Sequence, residues 1–178
     1  MKSLQTIQKT FRVFQTLSKI AMVLSFVWAG LAALGLLCGV LWYSGGNVFG
    51  VNQELLYSLT VTGGLTEMIG VLLVDMILAL TDGILLVFAL RYFSAEQADG
   101  TPFSHSGADL MKRLGILLIV LPAVATILVG VLHGIFDMPQ IEAADVGNGT
   151  SVMMGIMLIL VSLILRYGAE MEENRDAR

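Results

Sequence analysis

Residues Ile20 to Tyr43 read IAMVLSFVWAGLAALGLLCGVLWY. No Asp, Glu, Lys, Arg or His occurs in these 24 residues. An α-helix rises about 1.5 Å per residue, so about 20 apolar residues cross the ~30 Å hydrocarbon core of a bilayer. Inside lipid each backbone polar group must be paired within its own segment, which a helix achieves alone. The stretch predicts a transmembrane helix, with Trp42 and Tyr43 at its far end, where amphipathic rings prefer the interface.

Three further apolar runs follow. Glu67 to Phe93 gives a second span, with Arg91 and Tyr92 marking its end, and Leu114 to Phe136 gives a third, with a kink expected at Pro122. Val152 to Leu165 is short, and reaches spanning length over about 148–167 if Gly147 to Ser151 enters the interface and Arg166 snorkels. The composition agrees: 56% hydrophobic, 13% charged and a mean hydropathy of +0.83. A soluble domain carries about 25% charged residues. The fold expected is all-α: one membrane domain over 1–178, a four-helix transmembrane bundle.

Ahead of the first span, Leu4, Ile7, Phe11, Phe14 and Leu17 recur at spacings of three and four. Lys9, Arg12 and Lys19 fall on the other face. Residues 1–19 are therefore expected to form an amphipathic helix, either lying in the headgroup region or extending the first span. The segments 44–66 and 137–151 read as outer loops, the first with turn signals at Ser44-Gly45-Gly46-Asn47 and Thr62-Gly63-Gly64. Tyr167 to Arg178 reads as a polar tail.

The Lys and Arg residues fix the expected orientation. Lys2, Lys9, Arg12 and Lys19 precede the first span; Arg91, Lys112 and Arg113 flank the middle loop; Arg166, Arg175 and Arg178 follow the last span. These are all 10 basic residues, and neither outer loop holds one. Cations are retained on the inner side, so both termini are expected in the cytoplasm.

Several function classes lack support. A net charge of -4 gives no basic patch for direct nucleic-acid binding. Cys38 is the single cysteine, so neither an intramolecular disulfide nor a paired-cysteine metal site can form. Leu37 stands where a lipoprotein signal needs a small residue, and no A-x-A-like exit follows the first run. No GxSxG, HExxH or P-loop pattern occurs, so no enzyme, cofactor or metal is expected.

Asp75 and Asp82 stand out, because a carboxylate at the bilayer centre costs on the order of 2.5–3.5 kcal/mol. Seven residues apart, they share a helix face, and His133 in the third span lies at a depth near that of Asp75. The three residues are candidates for a proton, cation or ligand site. The structural alternative is a hydrogen-bonded cluster with Ser25, Thr126 or Ser162. Gly35 with Gly39, and Gly130 with Gly134, are GxxxG pairs that serve either packing within the bundle or homo-oligomerisation. Met153, Met154 and Met157 read as apolar packing, and Asn148-Gly149-Thr150 is a sequon of the kind that arises by chance.

Two segments carry a family resemblance. One is Gly100-Thr101-Pro102-Phe103-Ser104 followed by Asp109-Leu110-Met111-Lys112-Arg113-Leu114-Gly115; the other is Ile164-Leu165-Arg166-Tyr167-Gly168-Ala169-Glu170-Met171-Glu172-Glu173-Asn174. Together they resemble the bacterial family known as domain of unknown function 2975, small four-span membrane proteins. The motif residues are Gly100, Pro102, Phe103, Tyr167, Gly168 and Glu173; Glu172 replaces the usual Gln, and the chain ends in Asn174-Arg175-Asp176-Ala177-Arg178 where the family has an acidic-hydrophobic tail. The resemblance implies a multi-pass protein of the bacterial cytoplasmic membrane. Members are often encoded beside a small helix-turn-helix regulator, which implies such a regulator as partner. The function expected is a non-enzymatic sensor or regulatory protein acting through its cytoplasmic loop and tail. The alternatives are a small ion- or proton-coupled transporter using the intramembrane carboxylates, and an immunity-type membrane protein.

Overall fold

A computed structural model describes residues 2–43, 65–99, 105–136 and 149–176. These form four helices: α1 (Lys2–Tyr43), α2 (Leu65–Asp99), α3 (His105–Phe136) and α4 (Gly149–Asp176). No strand occurs among the described residues. Of the expected outer loops, residues 44–64 and 137–148 lie outside them, as do residues 100–104; Leu65 and Thr66, and Gly149 to Ser151, expected in those loops, are instead the first residues of α2 and α4.

Each helix contains a stretch long and apolar enough to cross a membrane: Lys9–Leu41, Thr66–Gln97, His105–Phe136 and Gly149–Met171. The side chains on their outer surfaces fit that role. Leu24, Leu31, Leu37, Ile127, Ile135 and Ile164 are each more than half exposed, an arrangement that water would penalise and lipid tails would not.

The amphipathic segment is not a separate helix. Residues 2–43 run as one α-helix without a break, about 63 Å long at 1.5 Å per residue, beyond the ~40–45 Å of a whole bilayer. Two rings of its apolar stripe, Phe11 and Phe14, have a protein partner. The Phe93 ring on α2 lies 6.0 Å from Phe11 and 6.1 Å from Phe14, and Gln15 donates through Nε2 to Ser94 Oγ at 2.9 Å. Both helices project past the apolar zone and support each other there.

The other helices also outrun their apolar cores. α2 continues to Asp99, α3 begins at His105, and the stretch from Tyr167, expected as a polar tail, stays helical to Asp176. Arg166 and Glu170, one turn apart with Nε to Oε1 at 3.5 Å, bridge that last stretch, and Asn174 Nδ2 donates to the Glu170 carbonyl at 2.8 Å. α3 runs unbroken through the buried Pro122.

Packing follows chain order: α1 on α2, α2 on α3, α3 on α4. The α2–α3 seam centres on Val74 and Val129, with Val71, Leu78, Leu132 and Phe136 packed around them. Every Lys and Arg in the described helices falls toward the end where α1 and α3 begin and α2 and α4 finish. This is the basic end of the molecule.

Candidate functional site

The two intramembrane carboxylates sit on the side of α2 that meets α1. A Cβ added at Gly39 would lie 3.1 Å from Met68 Cε, and one at Gly35 would lie 3.2 Å from Leu72 Cδ1. Farther along, Ser25 Oγ donates to the Ala79 carbonyl at 2.7 Å, and a Cβ at Gly83 would touch the Phe26 ring at 3.0 Å. The two helices thus run antiparallel, and the contact stripe on α2 passes through positions 68, 72, 79 and 83. Asp75 and Asp82 follow Met68 at successive intervals of seven and share its side of the helix. Asp75 is half-buried and Asp82 exposed. Neither forms an ion pair or hydrogen bond among the described residues.

The hydroxyls expected to hold the carboxylates are engaged elsewhere. Besides Ser25, Thr126 Oγ1 donates to the Pro122 carbonyl at 2.8 Å and Ser162 Oγ to the Ile159 carbonyl at 2.6 Å. These are local bonds that satisfy a hydroxyl within its own helix. His133 stands beside the α2–α3 seam, one residue after Leu132. Both its ring nitrogens are buried and neither has a hydrogen-bond partner. Asp75 and His133 are each next in sequence to a seam residue, yet they do not pair. No hydrogen bond or ion pair joins Asp75, Asp82 and His133, and among the described residues no group of His, Cys, Asp or Glu is placed to hold a metal ion.

The basic end brings together two segments far apart in sequence. His105 Nε2, on the first residue of α3, lies 3.6 Å from Glu173 Oε2 near the end of α4. Both side chains are largely exposed. Gly107 and Ala108 are buried in the first turn of α3, and Ala169 is buried on α4, so both segments are anchored. Tyr167 and Met171 point outward, 66% and 57% exposed. Gly168 is half-buried. Gly100, Pro102 and Phe103 precede His105 directly but lie outside the described residues.

The four glycines divide by helix. Gly35 and Gly39 meet Leu72 and Met68 across the α1–α2 contact, whereas Cβ atoms at Gly130 and Gly134 would meet nothing within 4 Å. The GxxxG of α3 packs against no other described helix. The close α3–α4 approach is made instead by Gly115 and Gly155, which the sequence reading passed over. Neither has a paired glycine four residues away to signal it. The His105–Glu173 pair was missed for a similar reason: 68 residues separate its members, and no local pattern relates them.

No family model, curated protein sequence or solved structure matches this chain.

Proposed function

We propose that the chain is a non-enzymatic, multi-pass protein of a bacterial cytoplasmic membrane that engages a protein partner through its basic end, as a sensor or regulatory protein. The observation that carries this reading is the 3.6 Å approach of His105 to Glu173. It joins the segment following the Gly100-Thr101-Pro102-Phe103 sequence to the segment holding Tyr167 and Gly168. These are the two stretches that resemble the domain of unknown function 2975 family. A surface assembled from both, with Tyr167 and Met171 exposed beside charged groups, offers an aromatic and a flexible apolar anchor in a polar rim. The segregation of basic residues supports a cytoplasmic location for this face.

The resemblance suggests a small helix-turn-helix regulator as the partner, held at the membrane and released on a signal. The test is co-purification in detergent of the full chain with the regulator encoded beside it. Tyr167→Ala and Phe103→Ala are expected to reduce recovery at least tenfold while the membrane protein itself accumulates normally. Unchanged recovery with both variants would remove the assignment of this face.

A second reading, an ion- or proton-coupled protein, draws on His133, whose two ring nitrogens are buried without a hydrogen-bond partner. An unsatisfied buried polar group marks a place where a proton or a polar ligand would be stabilised. Proton flux into liposomes that Asp82→Asn or His133→Gln abolishes would favour it over partner binding.

A further inference from the structure

α1 carries cations and no acid: Lys2, Lys9, Arg12 and Lys19 lie among 42 residues that hold neither Asp nor Glu. Lys9 and Arg12 are exposed, and neither forms an ion pair among the described residues. Both line a partly open hollow of about 470 Å³, together with Val13, Thr16 and Leu17. Among the described residues this hollow is built by α1 alone. Thr16 Oγ1 donates to the Arg12 carbonyl at 2.9 Å, so its hydroxyl is satisfied within the helix. From the two cations toward the bilayer, the wall of the hollow is therefore apolar.

At about 100° per residue, the five lining residues share an arc of about 140° on α1. Phe11 and Gln15, which meet α2, lie on the far side of the helix. Ile20 and Leu24 continue the arc, and with Val13 and Leu17 each is more than half exposed. This face turns away from the bundle and toward lipid. Its depth follows from α2. Phe93 lies against both Phe11 and Phe14 of the antiparallel α1, which sets Arg12 within about one helical turn of the level of Arg91. Arg91 ends the apolar run of α2, so the cations of the hollow stand at the membrane interface. An anion seated on Lys9 and Arg12 gains charge-assisted hydrogen bonds, and an acyl chain attached to it would follow Val13, Leu17, Ile20 and Leu24. A free anion or an uncharged lipid would use only half of this surface. A second copy docked by the same face would set cation against cation.

We propose that the outer face of α1 seats an anionic phospholipid from the leaflet at the basic end, with its phosphate between Lys9 and Arg12 and an acyl chain along Val13, Leu17, Ile20 and Leu24. This goes beyond the partner-binding reading, whose residues it does not use, and stands or falls separately from it.

The test uses the full chain in a neutral detergent and native mass spectrometry, with phosphatidylglycerol and phosphatidylcholine of identical acyl chains as probes. The wild-type chain is expected to retain phosphatidylglycerol with at least fivefold preference over phosphatidylcholine. The double variant Lys9→Gln, Arg12→Gln is expected to abolish that preference. Lys112→Gln, Arg113→Gln makes the same change in net charge on another helix and should keep most of it. Val13→Ser, Leu17→Ser is expected to lower retention of phosphatidylglycerol at least threefold. A large excess of inorganic phosphate should leave the lipid in place. Equal retention of both lipids by the wild type would overturn the proposal, as would the same loss of preference in both charge variants. So would displacement of the lipid by phosphate, unchanged retention in Val13→Ser, Leu17→Ser, or a lipid-free dimer mass that this variant dissociates.

Discussion

The backbones of α3 and α4 touch at Gly115 and Gly155: a Cβ on Gly115 would lie 2.8 Å from the Gly155 carbonyl oxygen, and one on Gly155 would lie 2.7 Å from that of Gly115. Real Cβ atoms do not approach backbone that closely, and a carbonyl in a helix cannot swing aside as a side-chain tip can. Gly115→Ala and Gly155→Ala are therefore expected to push the helices apart, at a cost of about 1–3 kcal/mol each. Thermal unfolding in detergent checks this, with Gly30→Ala as control. A Cβ at Gly30 meets nothing within 4 Å, and this variant should leave Tm unchanged or slightly raised.

His133 carries two buried ring nitrogens without partners. A polar group in that condition costs about 1–3 kcal/mol relative to an apolar group of similar shape. His133→Leu is expected to raise stability by about 1 kcal/mol or more, read from the detergent unfolding midpoint. A loss of stability of that size would show that the imidazole has a partner in the membrane.

Asp82 is exposed on a membrane-spanning helix and pairs with no described residue. Substituting it orphans no donor, unlike the loss of one member of a buried ion pair. Asp82→Asn is expected to change unfolding in detergent by less than about 1 kcal/mol, and Asp82→Leu to favour insertion by up to about 2–3 kcal/mol in a glycosylation-mapping assay. Strong destabilisation by Asp82→Asn would reveal a structural role for the carboxylate.

The His105–Glu173 contact is open to solvent on both sides. An exposed pair of this kind contributes about 0–1 kcal/mol, so a double-mutant cycle with His105→Ala and Glu173→Ala is expected to give a coupling energy below about 1 kcal/mol. Recovery of the proposed partner, by contrast, should fall severalfold with Glu173→Lys. A large stability change with unaltered recovery would make the pair a brace instead of part of a recognition face.

The charge distribution predicts sidedness. In a Cys38→Ser background, a cysteine introduced at Asn47 should react with a membrane-impermeant maleimide added to intact cells, and one introduced at Ser104 only after permeabilisation. A fluorescent protein fused after Arg178 should fold and fluoresce, as it does in the cytoplasm. Labelling at position 104 in intact cells would invert the topology.

The four apolar helices among the described residues were legible because the bilayer imposes one simple demand, a long run without charge. Their ends were not. Ser94 to Asp99, His105 to Arg113 and Tyr167 to Asp176 are polar enough to read as loop and tail, but they contain good helix formers such as Ala, Glu, Met and Lys. Outside lipid, hydropathy stops reporting on helix length. The unbroken passage from the amphipathic segment into the first span was one of two open readings; Phe93, 79 residues downstream of Phe14, is the partner that the sequence could not reveal. Asp75, Asp82 and His133 were visible as oddities because their residue types are rare in membranes. Whether they converge depends on helix rotation, which a single sequence does not specify. The Gly130 and Gly134 pattern shows the reverse case, a recognisable motif that meets no other described helix.

Because each helix packs chiefly on the one before it, the molecule can be assembled as it is made. α2 finds α1 already in the bilayer, α3 finds α2, and α4 docks last against α3 through the paired glycines. No early helix must wait for a distant one, which keeps the search short. It follows that a ribosome halted after Asp99 should leave behind a protease-resistant α1–α2 hairpin, and that a lesion in α4 should leave that first hairpin intact.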